Sequence, residues 1–138
     1  MRVKAHVVDR KDRGVKYGNG LATGTMLNAT VGLSAPLKFT SYAVAGEHGS
    51  TIVLNNKDEA TGALITITLP SRPQSAVATN LTGNGLMNAT APGTAINGAS
   101  IQAGTTWAPP AGADIPIGQD GTVTVAVPPA SAVFLVVR

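Results

Sequence analysis

From residue 25 onward the chain is made of short apolar runs rich in Val, Ile, Thr, Leu and Ala, each bounded by Gly, Pro or Asn. No stretch sustains the 3.6-residue period of an amphipathic helix, so strands are predicted throughout, most clearly at residues 37–44, 51–55, 64–69, 76–81, 122–127 and 132–137. In Ile65-Thr66-Ile67-Thr68-Leu69 the period of two puts the aliphatic side chains on one face and the threonines on the other. The same alternation in Thr122-Val123-Thr124-Val125-Ala126-Val127 follows the turn Gln119-Asp120-Gly121 and stops at Pro128-Pro129, which cannot donate ladder hydrogen bonds. The last run, 132–137, is apolar almost without a break and reads as a central strand, with Phe134 in the core. Between the first two runs, Ala45-Gly46-Glu47-His48-Gly49-Ser50 predicts a hairpin whose glycines supply positive φ.

Several short strands with regular turn signals, and no helix to cover a parallel sheet, predict an all-β fold, an antiparallel β-sandwich. A closed barrel is the alternative. Residues 81–116, rich in Gly, Asn, Ala, Thr and Pro, read as long connections around one or two weak strands. The near-repeat of Met26-Leu27-Asn28-Ala29-Thr30 in Leu86-Met87-Asn88-Ala89-Thr90 has dissimilar flanks, and two copies are too few for a repeat architecture.

Composition narrows the chemistry. The 138 residues are 43% hydrophobic but only 12% charged, about half the globular norm, and there is no cysteine, which removes disulfides and thiolate catalysis. A chain of this length buries enough surface to hold a core without a metal or cross-link. No apolar run approaches the roughly 18 residues of a membrane span, and the N-terminus lacks the apolar region of a signal peptide. The first sixteen residues hold Arg2, Lys4, Arg10, Lys11, Arg13 and Lys16 against Asp9 and Asp12, leaving the rest of the chain at −1. Acids interrupt that cluster and Tyr17 is its sole nearby aromatic, so a solvated leader or edge segment is the better reading than a nucleic-acid contact. Residues 1–19 are accordingly taken as a basic segment and 20–138 as the sandwich.

Carboxylates and imidazoles are scarce. Glu47 and His48 share a hairpin tip, Lys57, Asp58 and Glu59 fall in the next turn, and His6 is remote from both, so no metal-ligand spacing, cofactor site or catalytic triad is implied. Gly18-Asn19-Gly20-Leu21-Ala22-Thr23-Gly24 is one residue too long for a dinucleotide fingerprint and lacks the Lys-Ser/Thr of a P-loop. Ser131 reads as part of the turn before the last strand. Sugars stack on exposed aromatic faces. Phe39 and Tyr42 have opposite strand parity, which leaves Trp107, in Thr105-Thr106-Trp107-Ala108-Pro109-Pro110, as the candidate glycan contact, against packing of its indole on the prolines. Asn28, Asn80 and Asn88 head Asn-x-Thr sequons.

Three segments taken in order resemble the C-terminal β-domain of glycoside hydrolase family 79, the heparanase and β-glucuronidase group. They are Tyr42-Ala43 through a Gly-containing hairpin to Asn56-Lys57-Asp58, then Ile96-Asn97-Gly98-Ala99 leading to Trp107-Ala108-Pro109, and finally Val127-Pro128-Pro129-Ala130-Ser131-Ala132-Val133 before the last strand. The resemblance spans about residues 20 to 138. It implies a sandwich packed beside a (β/α)8 barrel that cleaves uronic-acid-containing glycans with two strand-end glutamates. Glu47 follows Gly46 and Glu59 follows Asp58, so neither matches the family's Asn-Glu acid/base, and no catalytic residue is carried over. The resemblance also implies that a strand from elsewhere completes the sandwich, and Val3-Lys4-Ala5-His6-Val7-Val8 is the segment expected to supply it, in cis or in a homo-oligomer joined through that edge. The leading expectation is a non-catalytic accessory domain partnered by a glycosidase barrel. A binding module for uronic-acid-containing glycans and a structural or assembly protein are the alternatives.

Overall fold

The computed structural model describes residues 2–8, 25–32, 36–69, 71–85, 93–100 and 106–138. They form eleven strands and no α-helix: β1 (Arg2–Val8), β2 (Thr25–Gly32), β3 (Phe39–Gly46), β4 (Gly49–Asn56), β5 (Ala63–Thr68), β6 (Ala76–Thr82), β7 (Ala95–Ile96), β8 (Ala99–Ser100), β9 (Ala113–Asp114), β10 (Val123–Val127) and β11 (Ser131–Val137). The hydrogen-bonded order is β10-β5-β1-β2-β3-β4-β11-β6-β7-β8, with β9 also on β6.

Strand β2 joins two layers. Its first three residues pair with β3, whereas Asn28 to Gly32 pair with β1. One layer therefore comprises β10, β5, β1 and the second half of β2, and the other runs from the first half of β2 through β3, β4, β11 and β6. The fold is the expected all-β sandwich, antiparallel in every pairing but one: β1 runs parallel to β5, aligning Val3 with Ile65 and Ala5 with Ile67. This strand lies between β5 and β2, bonded on both sides, rather than at an edge.

Alternation places the core. In β5, Ala63, Ile65 and Ile67 point inward, as do Val123, Val125 and Val127 of β10. They meet Ala43, Ile52, Leu54, Ala76, Ala78, Val133, Leu135 and Val137 of the opposite layer in one continuous cluster, with Leu37, Phe39, Leu69, Ile115 and Ile117 at its margin. Strand β11 is central, between β4 and β6, as its apolar run predicts. Phe134 is not in this core. It has the opposite parity to Val133 and Leu135 and lies half-buried on the outer face. The interior selects β11's other face because only there do β4 and β6 also present buried side chains.

The β3–β4 hairpin closes through two residues, Glu47 and His48, and of its glycines only Gly49 has positive φ, at 135°. Residues 81–116 contribute the three two-residue strands β7, β8 and β9. The basic cluster from Asp9 to Lys16, the Gly18–Gly24 segment and the second Met-Asn-Ala-Thr copy fall outside the described residues.

Candidate functional site

At one end of the sandwich the last residue of β4 ties two distant turns together. Asn56 is 1% exposed. Its Nδ2 donates to the carbonyl oxygens of Thr61 at 2.8 Å, Pro128 at 3.0 Å and Val127 at 3.4 Å, while its Oδ1 accepts the Asp58 amide at 3.1 Å. Asp58 then accepts the amides of Ala60 and Thr61 at 3.0 and 2.8 Å. Those two amides, followed by the Thr61 side chain and Lys38, hold its carboxyl below the usual aspartate range. On the facing turn, Ala130 adopts φ 47° and donates its amide to the Asp58 carbonyl at 2.8 Å, and the Ser131 hydroxyl donates to Pro128 at 2.7 Å. This is why Ser131 is a buried turn anchor with its hydroxyl already engaged, the role its place in the sequence suggests.

Beside this lock opens a cleft of about 440 Å³ lined by Asn55, Lys57, Thr82, Gly85, Thr94 and Ala132, among others. Among the described residues that line it, the polar side chains are amide, hydroxyl and one ammonium. That set can bind a polyol or an anion but offers no acid pair for hydrolysis.

The outer face of the larger layer is the second feature. Register aligns Tyr42 with Val53, Val53 with Phe134, and Phe134 with Thr79 across four adjacent strands. One row along, Val44, Thr51, Val136 and Val77 align, and on the other side Thr40, Asn55, Ala132 and Leu81. None of these residues is charged. Tyr42 is 48% exposed and the rest are half-buried. The sequence pattern, which reads Phe134 as core, does not place these two aromatics on one face. The missing signal was register: Tyr42 and Phe134 are far apart in sequence, and parity within one strand does not tell which face of another it joins.

Trp107 is half-buried in the loop before β9, flanked by exposed Ala108, Pro109 and Pro110. Asn97 pins this loop. Its Nδ2 donates to the carbonyls of Pro110 at 2.8 Å and Ala111 at 3.2 Å, its Oδ1 accepts the Asn80 amide at 2.8 Å, and its own amide donates to Asn80 at 2.9 Å. Immediately after, Gly112 runs so close to β6 that a Cβ there would stand 2.7 Å from Val77 Cγ1 and 3.1 Å from Thr79 Oγ1. The loop bearing Trp107 thus reaches the border of the outer face. The structure does not bring Trp107 into the strand-end cleft.

The other sequence candidates stay apart. Glu47 and His48 are exposed at the hairpin tip, Lys57 borders the cleft, and His6 lies on β1. Among the described residues no group of three His, Cys, Asp or Glu is placed to hold a metal ion, and no helix is long and apolar enough to cross a membrane. The Asn80 sequon falls within β6, where the Asn80 Oδ1 is buried.

No family model matches the sequence, and no curated protein is significantly similar to it. Solved structures do share the fold. The family 51 arabinofuranosidase of Xanthomonas axonopodis pv. citri superimposes with a TM-score of 0.56 at 17% identity, over 85% of this chain and 24% of that one. CelM2, a bifunctional glucanase-xylanase from a metagenome library, gives 0.55 at 18% identity, over 82% of this chain and 18% of that one. The family 44 xyloglucanase of Paenibacillus polymyxa gives 0.54 at 14% identity, over 82% and 19%. Family 79 is not among these three. At such identities the likeness is one of fold, and this chain spans less than a quarter of each of these glycoside hydrolase chains.

Proposed function

We propose that this chain is a non-catalytic accessory β-sandwich domain of a glycoside hydrolase. The observation that carries this reading is the match itself: a fold filling 82–85% of this chain occupies 18–24% of three glycosidases named for arabinofuranoside, glucan, xylan or xyloglucan. The site chemistry agrees. Retaining hydrolysis needs two carboxylates about 5 Å apart. Among the described acids, Asp58 is committed to its own turn with exposed Glu59 beside it in the chain, while Glu47, Asp114 and Asp120 stand exposed in separate segments.

The finer assignment to family 79 rests on three segments in order, the Asn-Lys-Asp and Val-Pro-Pro-Ala motifs and, between them, Asn97-Gly98-Ala99 leading to Trp107-Ala108-Pro109. Asn56 locks both turns together. Their recurrence therefore follows from what this fold requires at that corner as readily as from descent within one family.

The test is to assay the purified chain on arabinofuranosides, xyloglucan, xylan and glucuronides, and to co-express it with any barrel-encoding reading frame found at its locus. The reading expects no turnover by the chain alone and a one-to-one complex with the barrel that hydrolyses one of these glycans. Turnover by the chain alone that is removed by Glu47→Gln or Glu59→Gln would overturn it.

A further inference from the structure

We propose that the outer face of the β3-β4-β11-β6 layer is a binding platform for an uncharged, extended polysaccharide chain, with Tyr42 as its stacking residue. Tyr42 and Phe134 occupy one row of this face with Val53 between them. They are separated by two strand spacings, about 10 Å, which spans a disaccharide. Tyr42 is exposed, whereas Phe134 and Val53 are half-buried and give the row a fixed floor.

Sugar rings present one apolar C–H face and a rim of hydroxyls, so a site for them pairs aromatic surface with neutral donors and acceptors. Thr79 at the end of the aromatic row, and Thr51 and Asn55 in the rows on either side of it, supply hydroxyl and amide groups. Charge selects among glycans. A uronate polymer calls for cations along its length; among the described residues the three rows hold none, and the cations stand at the two ends, Lys57 in the strand-end cleft beside Asn55, Leu81 and Ala132, and Arg138 at the opposite corner, where with Ser75, Val77, Thr79 and Val136 it lines a cavity of about 200 Å³. Uncharged central rows of this kind favour a neutral glucan or xylan chain. The proposal rests on the accessory-domain reading only for the presence of a polysaccharide, and it needs no catalytic partner to be tested.

The experiment is an amide NMR titration of the chain with cellohexaose and xylohexaose, with polygalacturonate oligomers as the charged control, each at low and moderate salt. The Tyr42→Ala, Phe134→Leu and Trp107→Ala variants are run alongside. The expected result is salt-insensitive shifts at Tyr42, Val53, Phe134 and Thr79 with a neutral hexaose, weakened roughly tenfold by Tyr42→Ala with the fold intact. Phe134→Leu, which keeps the apolar floor, should weaken binding less. Absence of shifts with both neutral hexaoses, binding unchanged in Tyr42→Ala, or binding only to polygalacturonate that fades with salt would each overturn it. So would a dimer by sedimentation that Tyr42→Lys dissociates, because the face would then belong to a second copy. Hydrolysis by the chain alone sinks the accessory reading and leaves these shifts to be judged separately.

Discussion

Asn56 donates its side-chain amide to the carbonyl oxygen of Pro128, seventy-two residues away in sequence, at 3.0 Å. The same amide satisfies Thr61, so one 1%-exposed side chain serves three backbone carbonyls and one amide at the junction of β4, β5, β10 and β11. Truncation would leave buried backbone groups unpaired, which is costlier than the net worth of the bonds. Asn56→Ala is expected to lower unfolding free energy by about 2–4 kcal/mol. Asn56→Asp, isosteric but without donors, should be no better. Urea melts check this: the midpoint should fall at unchanged slope.

Acid sensitivity should centre on Asp58 and Asp120. Asp58 is stabilised as the anion first by the Ala60 and Thr61 amides, and Asp120 by the Thr122 hydroxyl and amide. Each folded-state pKa lies below its unfolded value, so at low pH the unfolded chain binds more protons. The stability these groups add is present above the unfolded value of about 3.9 and is lost as pH falls through the lower folded values. Urea midpoints should hold from pH 7 to 5 and drop below about pH 4, with a shallower drop in Asp58→Asn. An equally steep decline in that variant would place the acid sensitivity elsewhere.

Much of this fold is legible where alternation is clean. Ile65 and Ile67 against Thr66 and Thr68, or Val123 and Val125 against Thr124, declare both strand and buried face. Strand β11 defeats the same rule because Ala132, Phe134 and Val136 are as apolar as Val133, Leu135 and Val137, and only pairing with β4 and β6 decides between them. Strand β2 is harder still. Its split between β3 and β1 is a long-range register that no local pattern encodes. The β7–β8 hairpin turns on Asn97-Gly98, whose φ values of 50° and 81° are those of a type I′ turn, within a stretch whose composition reads as long connections. The outer-face platform follows the same division: each of its residues is visible in the sequence, and its assembly into rows is not.

Two glycines with positive φ should differ sharply on substitution. Gly98 has φ 81° with open space where a Cβ would go, so Gly98→Ala should cost about 1 kcal/mol of backbone strain. At Gly49, φ is 135° and a Cβ would be driven into the Val137 carbonyl oxygen at the end of β11. Backbone there cannot yield without breaking the β4–β11 pairing of Ser50 with Val137. Gly49→Ala is expected to cost more than about 3 kcal/mol. Comparing their thermal midpoints tests this, and similar losses would mean that φ alone, not the close approach, governs Gly49.

Leu135 and its neighbour Phe134 give the sharpest test of which face of β11 is interior. Leu135 is fully buried between the layers, and shortening it opens a cavity that the surrounding β-branched side chains cannot readily fill. Leu135→Ala should therefore cost about 2–5 kcal/mol. Phe134 is only half-buried on the opposite face of β11, so Phe134→Ala should cost less than Leu135→Ala despite the larger side chain removed. Equilibrium urea unfolding of the two variants decides it. The opposite order would put Phe134 in the core, and with it would go the aromatic row that Phe134 shares with Tyr42.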